Sequence, residues 1–219
     1  MWKAMLNSVK DEGVFDNNEL GLFKWYADET EKVIKEMQKE ELRWIQEQEG
    51  AGAAFSDVDD GGLIPVEYYS DRMRYSHVIY LTTLLERYLA SASGRLNAIL
   101  DRSLVFQPND LQGDKWDKHR KFLEKYGQCK FPSDAWKALR TLIFVRNILV
   151  HENGDASSIK KNDLDRIKKC PGLDVAHGEV IVKYAYIEHC LSSFGYFVKH
   201  IERLIEQSYE RGDRPRTVK

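Results

Sequence analysis

Residues 67 to 102 carry apolar side chains at helical spacing along their whole length: Tyr68, Ile79, Leu81, Leu85, Leu89, Leu96 and Leu100. Apolar residues three, four and seven apart line one face of an α-helix, whereas a half-buried strand alternates them. A long amphipathic helix is stable only when its stripe is covered. Residues 17 to 49 provide a second such pattern, with Asn17 or Asn18 in capping position. Phe23, Tyr26, Val33, Met37 and Trp44 recur on one side, Glu and Lys fill the other, and Thr30 and Glu40 interrupt the stripe. This helix either packs on its own domain or serves as a dimerisation arm.

Between the two patterns lies EGAGAAFSDVDDGGLIP, a loop rich in Gly and Asp. Asp57, Asp59 and Asp60 invite a calcium-loop reading. The twelfth position counted from Asp57 is Tyr68, not the bidentate Glu that such a loop requires, so a solvated loop is expected.

The remaining chain continues the helical theme. A loop at Gln107-Pro108-Asn109 precedes a shorter helix over residues 114 to 126. Pro132 and Ser133 open the next helix, with Ser133 as N-cap and Asp134 in the first turn. It runs to about Glu152, where Asn153-Gly154 stops it and Gly154 takes the left-handed conformation. Residues 159 to 169 form a short basic helix, and GLDVAHGEVIVK a hairpin turning at His177-Gly178. A final helix from Tyr184 to Tyr209 turns Ile187, Leu191, Phe194, Phe197, Val198, Ile201 and Leu204 inward. The expected organisation is an N-terminal helix and loop over 1–60, a helical bundle over 61–210 and a polar tail over 211–219.

Charge and cysteine content narrow the function classes. The formal net charge of the 219 residues is -2, so no global basic field draws the chain to nucleic acid, and such binding requires a local patch. Cys129, Cys170 and Cys190 are far apart and form no CxxC pair, which fits a reducing cytoplasm. No apolar signal core and no run of about 20 apolar residues is found, so a soluble, cytoplasmic protein without membrane association is expected. His77, His119, His177, His189 and His200 form no HxxxH or HExxH pattern, and no GxGxxG, GxxxxGK or GxSxG loop occurs. No metal and no cofactor is expected.

One stretch stands out. FVRNILVHENG, residues 144 to 154, ends a helix that is otherwise built for a core. On that helix one row reads Ser133, Lys137, Arg140, Phe144, Asn147, His151. A second reads Leu139, Ile143, Arg146, Val150, and a third Ala138, Leu142, Val145, Leu149. A cation, an amide and a titratable base thus gather at the helix C-terminus. Lys137 and Arg140 make the flank basic.

Arg146-Asn147-Ile148-Leu149-Val150-His151 resembles the signature of the HEPN superfamily, an arginine followed by a polar residue and, after a short gap, a histidine. The flanking LRTLIFV and ENG are similar too, as are a long helix with LLERYL before the motif and the hairpin and amphipathic helix after it. The resemblance covers roughly residues 67 to 208 and excludes the N-terminal helix. It implies an all-α, HEPN-like bundle with a small β-hairpin before the last helix. It also implies a metal-independent endoribonuclease, of toxin or antiviral defence type, acting as a homodimer whose two motifs meet in one cleft. Arg146 and His151 would then be the active pair, with Asn147 in support. Such an enzyme needs only an RNA substrate, whose 2′-hydroxyl attacks the adjacent phosphate. Imidazole serves as base and acid, arginine steadies the phosphate charge, and a cyclic 2′,3′-phosphate results.

Lys137 and Arg140 would hold the RNA backbone or simply line a solvated flank; Lys160, Lys161, Lys168 and Lys169 present the same choice. Glu86 is either a carboxylate that orients Arg146 or a surface ion-pair residue. Some HEPN toxins carry a tyrosine two positions after the histidine, which a partner nucleotidyltransferase modifies. Here that position is Asn153, so that neutralisation is not expected, while another antitoxin or a regulatory protein remains a candidate partner. Two rivals stand beside this reading. One is a non-catalytic HEPN-like nucleotide- or RNA-binding or dimerisation module. The other is a structural helical interaction protein that docks a partner through its N-terminal helix.

Overall fold

The computed structural model describes residues 17–50, 66–100 and 107–210. Among them the elements are α1 (Asn17–Gly50), α2 (Val66–Ile99), a 3-10 turn (Pro108–Asp110), α3 (Lys115–Gly127), α4 (Ser133–His151), α5 (Lys161–Lys168), β1 (Leu173–Ala176), β2 (Glu179–Val182) and α6 (Tyr184–Glu210). The fold is mainly helical with one small antiparallel hairpin, as the periodicity predicts. No described helix is long and apolar enough to cross a membrane. The Asp57, Asp59 and Asp60 loop, the residues before Asn17 and the 211–219 tail lie outside the described residues.

The chain divides into two compact units. Among the described residues the first takes in 17–20, 80–100, 107–144 and 190–210, and the second 21–50, 66–79 and 145–189. The first is built on aliphatic and aromatic side chains. Leu81, Leu85, Leu89 and Leu96 of α2, Phe122 and Leu123 of α3, Leu139 and Leu142 of α4, and Phe194, Phe197 and Ile201 of α6 are buried. Phe197 stacks on Trp136 at 5.8 Å and meets Phe131 edge-on at 4.9 Å, an arrangement that suits the ring quadrupoles. Arg95 and Glu202 form a two-pronged ion pair from α2 to α6. Gly127 ends α3 where a Cβ would come within 2.6 Å of Leu96, so only glycine fits there.

The second unit is stitched by polar contacts. Arg74 of α2 donates to both carboxylate oxygens of Glu31 on α1, the closest at 2.9 Å, with both side chains almost wholly buried. The Tyr184 hydroxyl donates to Asp28, and the backbone N–H of Val66 donates to Glu41 at 3.1 Å. In the hairpin Leu173 pairs with Val182 and Ala176 with Glu179. His177 and Gly178 both have positive φ, 52° and 80°, the primed two-residue turn that matches strand twist.

Three expectations differ from the structure. On α1 the buried line is Phe23, Ala27, Glu31 and Ile34, while Tyr26, Val33 and Trp44 face outward and Met37 is half-buried. The large side chains suggest one phase, but a small alanine and an ion-paired glutamate occupy the contact line. On α6 the last buried position is Ile205, with Leu204 half-buried. At the start of α4 Ser133 is already helical, and the Pro132 carbonyl accepts from the Trp136 N–H at 2.9 Å, so Pro132 occupies the cap position.

Candidate functional site

Helix α4 buries Leu139, Leu142, Ile143, Val145, Ile148 and Leu149. Its last turn turns the other way. Arg146 is half-buried, Asn147 and His151 are exposed, and Val150 between them is 42% exposed. A β-branched residue left open beside a cation, an amide and an imidazole marks a surface and not a core.

Arg146 Nη1 donates to Asn147 Oδ1 at 3.1 Å, so the amide holds the guanidinium at the helix surface and leaves its other donors free to reach outward. The His151 ring makes no side-chain hydrogen bond among the described residues and is open to an incoming group. Arg146, Asn147 and His151 therefore share one short exposed segment of the second unit.

The turn behind His151 is fixed firmly. Asn153 and Gly154 have φ of 52° and 89°, and the Gly154 N–H returns to the Ile148 carbonyl at 3.2 Å. Its carbonyl accepts from Val180 of β2 at 2.9 Å. Tyr75 of α2 donates to the Val180 carbonyl at 2.6 Å, and a Cβ on Gly154 would sit 3.0 Å from that tyrosine oxygen. Burial, with Asp71 and Glu179 nearby, pushes the Tyr75 hydroxyl up to about 12, so it remains a donor at neutral pH. Arg72 Nη1 donates to Asn153 Oδ1 at 2.9 Å, and its guanidinium stacks over Tyr68 at 4.9 Å and Tyr75 at 5.3 Å.

Arg72 and Tyr75 belong to the structure of the site, yet nothing in the sequence links them to a motif some 80 positions away. Burial raises the Asp71 carboxyl above its ordinary value against the pull of Arg74, and Glu67 and Glu179 raise it further. The surroundings of Arg72 are therefore not a basic surface.

The other expected residues lie in the first unit. Lys137 is exposed and makes no ion pair among the described residues. Arg140 is committed to Asp114 at 2.9 Å, with Asp117 at 4.0 Å. Asp114 is the N-cap of α3 and accepts from the Asp117 N–H, so Arg140 staples α4 to a helix start. Burial raises the Asp114 carboxyl, but that backbone hydrogen bond and the Arg140 guanidinium outweigh it and hold the group below the usual range. Glu86 pairs with Lys115 across two half-exposed side chains, which is the surface ion-pair arrangement. Lys160, Lys161, Lys168 and Lys169 are all exposed. No group of three or more His, Cys, Asp or Glu residues that could hold a metal ion occurs among the described residues.

In comparisons with known proteins, no family model, no curated protein and no solved structure matches this chain.

Proposed function

We propose that the protein is a HEPN-type, metal-independent endoribonuclease that acts as a homodimer, with toxin or antiviral defence as its biological class. The observation that carries the reading is the exposed last turn of α4, where Arg146, Asn147 and His151 stand together on a helix otherwise turned to the core. His151 takes the proton from a 2′-hydroxyl as base or returns one to the leaving oxygen as acid. Arg146, steadied by Asn147, neutralises charge on the phosphate oxygens. Two copies of the motif would divide the acid and base roles. Lys137 is the cation best placed to meet an RNA backbone, because Arg140 is already paired. The test is end-group analysis of RNA cut by the purified protein: cyclic 2′,3′-phosphate ends support the reading, and 3′-hydroxyl ends with 5′-phosphates contradict it.

A second reading is favoured by the pairing of Arg140 with Asp114 and by the carboxylates around Arg72. Here the same turn binds a nucleotide or an RNA end without cutting it. Equilibrium binding of a labelled oligonucleotide that is recovered intact distinguishes the two.

A further inference from the structure

Helix α1 has a second apolar stripe on a side that its own chain leaves open. Leu22 is 66% exposed, Trp25 64%, Tyr26 52%, Val33 54% and Trp44 36%. The buried line of Phe23, Ala27 and Ile34 lies on a different part of the same helix. Leu22, Val33 and Trp44 stand at an eleven-residue spacing. Eleven residues make close to three full turns, so the three side chains stay aligned to within about 40° over the whole stripe.

The spacing is also symmetric. Val33 is the midpoint, and a two-fold axis through it places Leu22 of one copy level with Trp44 of the other. Such an isologous contact uses one surface twice. Charge selects the direction. A parallel, in-register pair would set Glu29, Glu36 and Glu40 each beside its own copy, a repulsive arrangement. The antiparallel pair sets Glu40 level with Tyr26 and Glu29 level with Met37. Arg43 and Trp25 lie on one row of α1, five turns apart. Antiparallel pairing brings Arg43 of one copy to the region of Trp25 of the other, a cation beside an open indole.

The area suffices. Aromatic side chains bring roughly 150–250 Å² each. At the exposures given, the five residues offer on the order of 500 Å² per copy, and two copies reach the lower bound of about 1,000 Å² for a specific interface.

We propose that α1 is a self-association surface in which the Leu22–Val33–Trp44 stripe of one chain lies antiparallel along the same stripe of a second, with Val33 on the two-fold axis. The proposal stands apart from the ribonuclease reading, because none of these residues belongs to the candidate site.

Sedimentation of the full-length chain tests it, comparing wild type with Val33→Glu. The charge halves the assembled mass while circular dichroism stays unchanged, since Val33 is exposed. Cysteine cross-linking in a Cys170→Ser background gives an independent readout that does not depend on the variant's folding. Val33→Cys alone forms an interchain disulfide, a mixture of Leu22→Cys and Trp44→Cys chains does so, and Leu22→Cys alone does not. Three results overturn the proposal. The first is an unchanged mass for Val33→Glu. The second is efficient cross-linking of Leu22→Cys to itself, which means a parallel pair. The third is a monomeric wild type whose Val33→Cys thiol resists a maleimide, which means that another segment of the same chain covers the stripe.

Discussion

Arg72 and Asn153 are 2.9 Å apart, guanidinium nitrogen to amide oxygen, and their bond anchors the turn immediately behind His151 to α2. The imidazole sits two residues before this anchor, on a helix end whose next glycine is pressed against Tyr75. The position of His151 thus depends on contacts from a distant part of the chain. Gly154→Ala forces a side chain into a left-handed conformation and against the tyrosine oxygen, and is expected to cost about 1–2 kcal/mol. Arg72→Ala costs less, about 0.5–1.5 kcal/mol, because the bond is exposed. Urea denaturation of both variants measures this. Under the proposed function both also lower RNA cleavage.

Arg74 and Glu31 are the best buried ion pair between helices of the second unit. Removing one partner leaves the other charge unpaired, so Glu31→Ala is expected to cost about 3–5 kcal/mol. Replacing both, as in Glu31→Leu with Arg74→Met, recovers most of that loss. A double-mutant cycle by urea denaturation reads the coupling directly.

His77 predicts acid sensitivity. Its ring is 2% exposed, lies edge-on to Phe23 and Tyr26 at 5.5 and 5.4 Å, and neither nitrogen has a hydrogen-bond partner. Burial lowers its pKa from the ordinary 6.5; Glu31 opposes the shift and Arg74 adds to it. The fold therefore holds the neutral ring while the unfolded chain takes the proton. This contribution to stability is complete well above pH 6.5 and is lost as pH falls below that value toward the folded pKa. His119, bonded to Ser93 at 3.0 Å, shifts the same way through burial. Urea midpoints are expected to fall between pH 7 and pH 5, and to fall less in His77→Leu.

The exposed motif predicts a separation of stability from activity. Arg146→Ala and His151→Ala remove surface groups and are expected to change folding free energy by less than about 0.5 kcal/mol. Thermal melting of both proteins checks this, and an intact melt is what allows a lost activity to be assigned to chemistry.

The sequence pattern revealed the elements better than their orientation. The His177-Gly178 turn was legible because only a few residue pairs accept two positive φ values in succession. The Asn153-Gly154 stop was legible for the same reason. The phase of α1 was not, because size misleads when an alanine and a paired glutamate fill the contact line while Tyr26, Val33 and Trp44 stay outside. At the site, Arg146, Asn147 and His151 could be read as neighbours because one helix carries them. The links from Arg72 to Asn153 and from Asp114 to Arg140 could not, since they join elements far apart in sequence and leave no periodic trace.

The most direct measurement is incubation of cellular RNA with the full-length protein in excess EDTA, beside the folded Arg146→Ala and His151→Ala proteins. The account predicts cleavage by the wild type alone, leaving cyclic phosphate ends. Equal behaviour of all three proteins would contradict it and leave the turn of Arg146 and His151 without a role in catalysis.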